Sequence, residues 1–213
     1  MGLVCVIISS PLEKAGKVIM KIVGLTGGIA TGKSTVLELL IHRGYQVLDA
    51  DVIVRELQAK GSPLLREVSQ VFGSTILNAD GSLNRAELSK MIFGDEKKRA
   101  ILDQMVHPAV RAEFERKIKL AQSEVIFLDV PLLFEAKFDD LVDIILVIRA
   151  STEKQLERLM SRNNLSVMEA RSRIDAQMPI DEKVKLADFV IDNDGDLCEL
   201  EASVEHFLRA INK

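Results

Sequence analysis

The chain has 213 residues, of which 47% are apolar and 28% are charged, and its formal net charge is −4. This length and composition are typical of one globular α/β domain that carries insertions. The acidic balance argues against a broad nucleic-acid-binding surface, because such surfaces are basic, and no apolar run is long enough to span a membrane.

The first 19 residues are predicted to be a dispensable extension. Residues 3–8 are apolar, but the run is short and no charged segment precedes it, so a signal peptide is a poor fit. Met20 lies directly before the first predicted strand and would be a natural start. The alternative is an extra edge strand at residues 3–8.

A glycine-rich loop follows the first predicted strand, residues 21–26. Residues 27–34 read GGIATGKS, which matches the phosphate-binding pattern G-x-x-x-x-G-K-[ST] at every fixed position. Glycines let backbone N–H groups converge on an anion, and a helix beginning near Lys33 directs its positive end at the phosphates. Lys33 would bind the outer phosphates and the Ser34 hydroxyl would ligate magnesium. The following helix is expected to bury Val36, Leu37, Leu40 and Ile41.

Four further apolar runs predict the rest of a parallel sheet, at residues 46–49, 125–129, 143–148 and 188–191. Amphipathic stretches separate them, which is typical of a doubly wound α/β fold. We therefore expect a five-stranded parallel sheet flanked by helices. Its ligand site should lie at the carboxyl ends of the strands.

Carboxylates follow the second and third strands. Transfer of a phosphoryl group to an alcohol needs a carboxylate that accepts the hydroxyl proton. Asp51, with Arg55 one turn later, is favoured for this role, and Asp49 would serve the metal or the loop geometry. The alternative is that Asp51 is only the N-cap of the next helix. Asp129 is the last residue of the third strand. An acid at this position can hold a metal through water, so Asp129 is a candidate metal ligand.

Two segments are too long to be simple crossovers. Residues 51–122 read as a helical insertion, in which Asp95 is a plausible N-cap and His107-Pro108 is predicted to open a helix. Residues 151–180 are basic, and Arg158 and Arg162 are spaced to share a helix face. Such arginines can close over a triphosphate, or they can form an ordinary solvated face.

The segment after Asp129, including Leu133, is either an apolar wall beside the acceptor or plain core.

These segments together resemble the dephospho-CoA kinase family. The resemblance covers Met20 to the C-terminus, and only the first 19 residues depart from it. It rests on these stretches in order: LTGGIATGKST at 25–35, DAD at 49–51, HP at 107–108, PLLFE at 131–135, Arg158 with Arg162, RIDAQ at 173–177, and ADFVIDN at 187–193 with Gly195.

The resemblance implies phosphorylation of the ribose 3′-hydroxyl of dephospho-CoA by ATP with Mg²⁺. It implies one kinase domain, residues 20–213, with core segments 20–50, 123–150 and 181–213, a substrate-binding insertion 51–122 and a lid 151–180. Catalytic roles fall on Lys33, Asp51 and Arg162. The nucleotide-binding residues would be Gly28, Ile29, Ala30, Thr31, Gly32, Lys33, Ser34, Thr35, Arg158, Arg162, Asn193 and Gly195. The substrate-binding residues would be Asp49, Asp51, Arg55, His107 and Leu133, and the metal ligands Ser34 and Asp129.

Two other functions stay open. A nucleoside or nucleotide kinase of the same fold would share the loop, the acid and the arginines, but would not need the long insertion. A non-catalytic regulator that keeps the phosphate loop would tolerate loss of the acid. We expect a cytoplasmic monomer or small homo-oligomer that acts on a small molecule, not on nucleic acid or at a membrane.

Overall fold

The computed structural model describes residues 20–212. One sheet has the strand order β2-β3-β1-β4-β5, and its β1–β3, β1–β4 and β4–β5 pairs are parallel. The strands are β1 (Lys21–Gly27), β2 (Gln46–Asp49), β3 (Val125–Asp129), β4 (Ile144–Arg149) and β5 (Phe189–Asp192). The predicted five-stranded α/β sheet is confirmed, with the last two strands beginning one residue later than expected. The expected extension and its alternative strand at residues 3–8 lie outside the described residues.

Nine α-helices accompany the sheet in the described part of the chain. They are α1 (Lys33–His42), α2 (Ala50–Leu57), α3 (Pro63–Phe72), α4 (Arg85–Ile92), α5 (Glu96–Leu120), α6 (Thr152–Asn163), α7 (Val167–Asp175), α8 (Ile180–Lys185) and α9 (Leu197–Ile211). Residues 20–212 contain no helix that combines the length and the apolar composition needed to cross a bilayer.

The chain forms two compact units, and β2 contains the boundary between them. The first unit comprises the described residues before Leu48 and after Ala121, and the second is Leu48–Ala121. In the first unit, α1 and α9 pack together over a core that includes Phe127 of the fully buried strand β3. Burial on both faces explains why β3 is a continuous apolar run and not an alternating one.

The apolar face of α1 is narrower than predicted. Val36 and Leu40 are fully buried and Leu37 packs against the same core. Ile41 is 57% exposed, so its predicted place in the core is wrong. One helical residue turns the side chain by about 100°, which carries Ile41 away from the stripe that Val36 and Leu40 form.

The second unit is organised around the 25-residue helix α5, which contacts α2, α3 and α4. Asp95 is its N-cap, as predicted, and accepts a hydrogen bond from the Lys98 N–H at 3.0 Å. The prediction that His107-Pro108 opens a helix is wrong, because Pro108 lies inside α5. A stripe of buried residues at intervals of four continues across the proline, and this packing outweighs the lost backbone hydrogen bond. The stripe consists of Leu102, Val106, Val110 and Phe114.

Candidate nucleotide site

The phosphate loop, residues 27–34, connects β1 to α1 and is held in a tight turn. The Gly28 carbonyl accepts hydrogen bonds from the Thr31 hydroxyl at 2.9 Å and from the Thr31 N–H at 3.3 Å. Ala30 and Gly32 both have positive φ angles, 60° and 90°. Helix α1 begins at Lys33, as predicted, so its N-terminal N–H groups face the loop, as anion binding requires.

The two fixed glycines of the loop motif, Gly27 and Gly32, have no room for a side chain. A Cβ atom at Gly27 would lie 2.6 Å from the carbonyl oxygen of Ile148 on the neighbouring strand β4. At Gly32 a Cβ atom would collide with the side-chain amide of Asn193, and the φ of 90° already favours glycine. The packing of the surrounding protein therefore requires glycine at both fixed positions of the motif.

Lys33 is paired with the carboxylate of Asp129, at the end of β3. The side chains are only 15% and 7% exposed, so Lys33 is much less open to solvent than a free phosphate-binding lysine would be. The adjacent Ser34 is exposed. The loop lysine and the strand-end acid thus lie together at the carboxyl end of the central strands, where the sequence predicts the ligand site.

Asn193 connects three elements of the site. Its side-chain amide donates to the Thr31 carbonyl at 2.8 Å, and its own carbonyl accepts from Nη2 of Arg158 at 2.8 Å. The other terminal nitrogen of Arg158, Nη1, is buried and has no hydrogen-bond partner among the described residues. It lies 3.8 Å from where a Gly32 Cβ would stand. A buried cationic N–H without a partner is costly, and an anion in the loop would remove that cost.

Arg162 and Gly195, two further predicted nucleotide-binding residues, are exposed. Arg162 is exposed in the last turn of α6 and, within the described residues, bonds only its neighbour Asn163, with Nε to Oδ1 at 3.0 Å. Although Arg158 and Arg162 are one turn apart, only Arg158 reaches the loop. Gly195 is exposed just before α9, and the side chain of Glu199 covers its α-carbon.

The predicted acceptor-side residues lie in the second unit, except Leu133. Asp49 is the N-cap of α2, and its carboxylate accepts from the N–H groups of Asp51 and Val52 at 2.7 and 3.1 Å. The alternative that Asp51 is the N-cap is therefore wrong. Asp51 and Arg55 are exposed one turn apart on α2. His107, on α5, lies 3.8 Å from the Asp103 carboxylate.

Leu133, in the loop after β3, is fully buried, which favours the plain-core interpretation of its segment. This loop is fixed by Lys183 of α8, whose ammonium group is completely buried. It donates to the Pro131 carbonyl at 3.0 Å and pairs with Glu135 at 3.0 Å. The Thr26 hydroxyl donates to the same Pro131 carbonyl at 3.0 Å. The pairing of Lys183 with Glu135 was not predicted.

Two glutamines also bind the phosphate loop and were not predicted. Gln155 of α6 donates to the Ile29 carbonyl at 2.9 Å, and Gln177, between α7 and α8, accepts from the Ile29 N–H at 2.8 Å. These contacts join residues more than a hundred positions apart, and no local pattern marks them. Gln177 does stand in one of the stretches that carry the family resemblance, and this was the one available signal.

Comparison with known proteins identifies the family of the chain. The family model for dephospho-CoA kinase matches residues 21–199. The dephospho-CoA kinase of Carboxydothermus hydrogenoformans is 48% identical over 198 residues, which cover 92% of this chain and 95% of that protein. The Bacillus anthracis enzyme of that name is 45% identical over 194 residues, which cover 90% and 97%.

Solved structures agree with these sequence matches. A Thermus thermophilus protein superposes with a TM-score of 0.78 at 34% identity, covering 91% of this chain and 98% of the other. Dephospho-CoA kinase from Campylobacter jejuni gives 0.69 at 28% identity, covering 89% and 96%. A Bacteroides thetaiotaomicron shikimate kinase, at 0.51 and 13% identity with 91% and 99% covered, shares the fold alone. By its family match and its identity to these relatives, the chain belongs to the dephospho-CoA kinase family.

Proposed function

We propose that the chain transfers the γ-phosphoryl group of ATP to the ribose 3′-hydroxyl of dephospho-CoA, giving coenzyme A and ADP, the final step of coenzyme A synthesis. Family membership supports the reaction. The observation that supports ATP binding is the phosphate loop with two cations beside it. These are Lys33 and the buried Nη1 of Arg158, which has no hydrogen-bond partner within residues 20–212.

On this proposal, residues 28–35 surround the β- and γ-phosphates, and the backbone N–H groups of Ala30, Lys33 and Ser34 donate to them. Lys33 moves from Asp129 to the outer phosphates, and Arg158 Nη1 gains an acceptor that the described residues do not give it. Arg162 reaches the transferring group when the lid, residues 151–180, closes. Asn193 and Gly195 flank the adenine. Preorganised positive charge of this kind lowers the barrier by stabilising charge that develops on the phosphoryl oxygens.

The acceptor side is proposed to use the insertion, residues 51–122. Asp51 accepts the proton of the 3′-hydroxyl as oxygen attacks phosphorus. The Asp49 cap fixes the first turn of α2, and so the backbone that carries Asp51. Arg55, His107 and Leu133 are assigned to substrate binding. A mononucleotide acceptor would have no pantetheine arm for this long insertion to hold, which is why a nucleoside or nucleotide kinase is the second choice.

The donor set near the loop fits Mg²⁺. Mg²⁺ usually takes one or two protein oxygens and completes its shell with water and phosphate, and Ser34 and Asp129 supply a hydroxyl and a carboxylate. No cluster of three or more His, Cys, Asp or Glu that could hold a metal occurs in residues 20–212. When bound, Mg²⁺ would neutralise charge on the phosphates.

For the chain as a whole we propose a monomer or small homo-oligomer in the cytoplasm, acting on a small-molecule substrate. The exposed thiol of Cys198 suits a reducing compartment.

The test is ATP consumption by the purified chain with dephospho-CoA, beside a panel of nucleosides and nucleotides. We expect turnover with dephospho-CoA and coenzyme A as the product. Preferred turnover of any nucleoside or nucleotide would replace the proposed substrate. ATP binding without turnover of any acceptor would support the non-catalytic regulator.

A further inference from the structure

Both backbone polar groups of Ile29, in the first half of the phosphate loop, form hydrogen bonds with glutamine side chains. Its N–H donates to Oε1 of Gln177 at 2.8 Å, and its carbonyl accepts from Nε2 of Gln155 at 2.9 Å. Gln155 is 2% exposed and belongs to α6, whereas Gln177 belongs to the segment between α7 and α8. Two separate elements therefore converge on one loop residue, and neither uses a charge to do so.

These two bonds determine which way the neighbouring peptide groups face. The described peptide bonds are trans, so the C=O and N–H of each peptide unit point in opposite directions. Because Gln155 holds the Ile29 carbonyl, the Ala30 N–H must point away from Gln155. Because Gln177 holds the Ile29 N–H, the Gly28 carbonyl points away from Gln177, and there it accepts the two bonds from Thr31.

The two hydrogen bonds to Ile29 lie immediately before Ala30, whose backbone is strained. Ala30 has a φ of 60°, a conformation that residues other than glycine rarely adopt and that persists only where the surroundings enforce it. A peptide flip at Ile29–Ala30 would relax this conformation and would turn a carbonyl oxygen to the side where the N–H now points. An oxygen facing a phosphate would repel it.

We propose that Gln155 and Gln177 are positioning residues for the phosphate loop. Gln155 holds the Ile29–Ala30 peptide so that the Ala30 N–H is presented to the nucleotide, and Gln177 holds the preceding peptide, with the Gly28 carbonyl turned to Thr31. The proposal rests on the nucleotide site described above. The two residues act by different chemistry, since Gln155 must donate and Gln177 must accept.

Gln177 is itself anchored on its far side. The N–H of the next residue, Met178, donates to Oε1 of Glu135 at 3.2 Å, and Glu135 pairs with the buried ammonium of Lys183. The segment between α7 and α8 is therefore tied both to the loop after β3 and to the phosphate loop. This anchoring makes the Gln177 contact a fixed support and not an incidental surface bond.

The difference between donor and acceptor gives a sharp test. Four variants are compared: Gln155→Met, Gln155→Glu, Gln177→Met and Gln177→Glu. Methionine keeps the shape and loses both functions, and an ionised glutamate can accept but cannot donate. We expect both methionine variants to weaken ADP binding about tenfold by calorimetry, with the KM for dephospho-CoA unchanged. Gln177→Glu should recover most of the affinity, and Gln155→Glu should recover none at alkaline pH, where its carboxyl is ionised.

Two further measurements separate positioning from general destabilisation. Hydrogen exchange of the Ile29 amide, followed by NMR in the nucleotide-free protein, should be at least about tenfold faster in Gln177→Met and close to the parent in Gln177→Glu. Binding is repeated at raised salt, which screens repulsion between the added carboxylate and ADP. Gln122→Met, at an exposed glutamine of the same unit, is the matched control and should change nothing.

Several outcomes would overturn the proposal. One is parental ADP affinity in either methionine variant, and another is recovery by Gln155→Glu at alkaline pH, where the added carboxyl cannot donate. A third is equal loss in Gln177→Glu and Gln177→Met at high salt, because the acceptor role would then be wrong. If Gln155→Glu does not fold, the ADP affinity of Gln155→Met alone still tests whether the Gln155 hydrogen bond matters for nucleotide binding. Failure of the nucleotide site itself would look different, since the unaltered chain would then not bind ADP.

Discussion

Lys33 and Asp129 neutralise each other in the free protein, so one substitution has two separable effects. Lys33→Ala should abolish turnover, because it removes the cation that is proposed to bind the outer phosphates. It should also destabilise the fold by about 1–3 kcal/mol, since the nearly buried Asp129 loses the cation with which it is paired. Activity assays and thermal melting measure the two effects.

The double variant Lys33→Met/Asp129→Asn is the control for this prediction. It removes both charges at similar volume, so it should recover most of the stability and none of the turnover. A folded Lys33→Ala variant with near-parental activity would contradict the nucleotide assignment.

Asp49 and Asp51 should respond differently to substitution. Asp51→Asn should lower kcat about 10²–10⁴-fold with ATP affinity unchanged, because a positioned general base contributes this much. Asp49→Asn should be mild in stability, because asparagine is as good an N-cap as aspartate, whereas Asp49→Ala should cost about 1 kcal/mol. A harmless Asp51→Asn beside an inactive but folded Asp49→Asn would reverse the two assignments.

At the scale of elements, α5 contains a residue that helices usually exclude. Pro108→Ala restores a backbone hydrogen bond and removes a clash, and it loses the restriction that proline places on the unfolded chain. The net gain should be about 1–2 kcal/mol, or roughly 2–4 °C in Tm for each kcal/mol. Pro63→Ala is the matched control, because Pro63 is the first residue of α3, where proline is favoured, and it should bring no gain. An unchanged Tm for Pro108→Ala would contradict this prediction, and it would mean that packing around α5 already compensates for the missing hydrogen bond.

The elements that sequence predicts well are those whose cause is local. β3 is an unbroken apolar run, α1 follows a complete motif, and Asp95 precedes α5 as a capping residue. The wrong predictions concern Pro108 and Ile41. In both, a local rule competes with burial of a stripe whose position depends on the neighbouring elements. The Gln155 and Gln177 contacts were missed for a related reason, since they depend on how distant segments pack and not on residues nearby in sequence.

For the whole molecule, the first 19 residues remain predicted to be dispensable. A chain beginning at Met20 should fold and phosphorylate dephospho-CoA as well as the full chain, because the described sheet and every proposed site residue lie after it. Thermal melting and turnover of both chains provide the measurement. A large fall in Tm, or loss of folded protein, would show that residues 3–8 shield apolar surface or a sheet edge.

The pairing of Lys33 with Asp129 also bears on how fast ATP arrives. An approaching polyanion is accelerated by net positive charge at the mouth of a site, and in the free protein this lysine contributes almost none. The Lys33 charge should therefore contribute little to the dependence of association on ionic strength. In Asp129→Asn the unmasked lysine should raise both the association rate at low salt and its sensitivity to salt. Stopped-flow mixing with a fluorescent ATP analogue would detect the change. The same carboxylate that orders the site at rest would then slow the capture of its ligand.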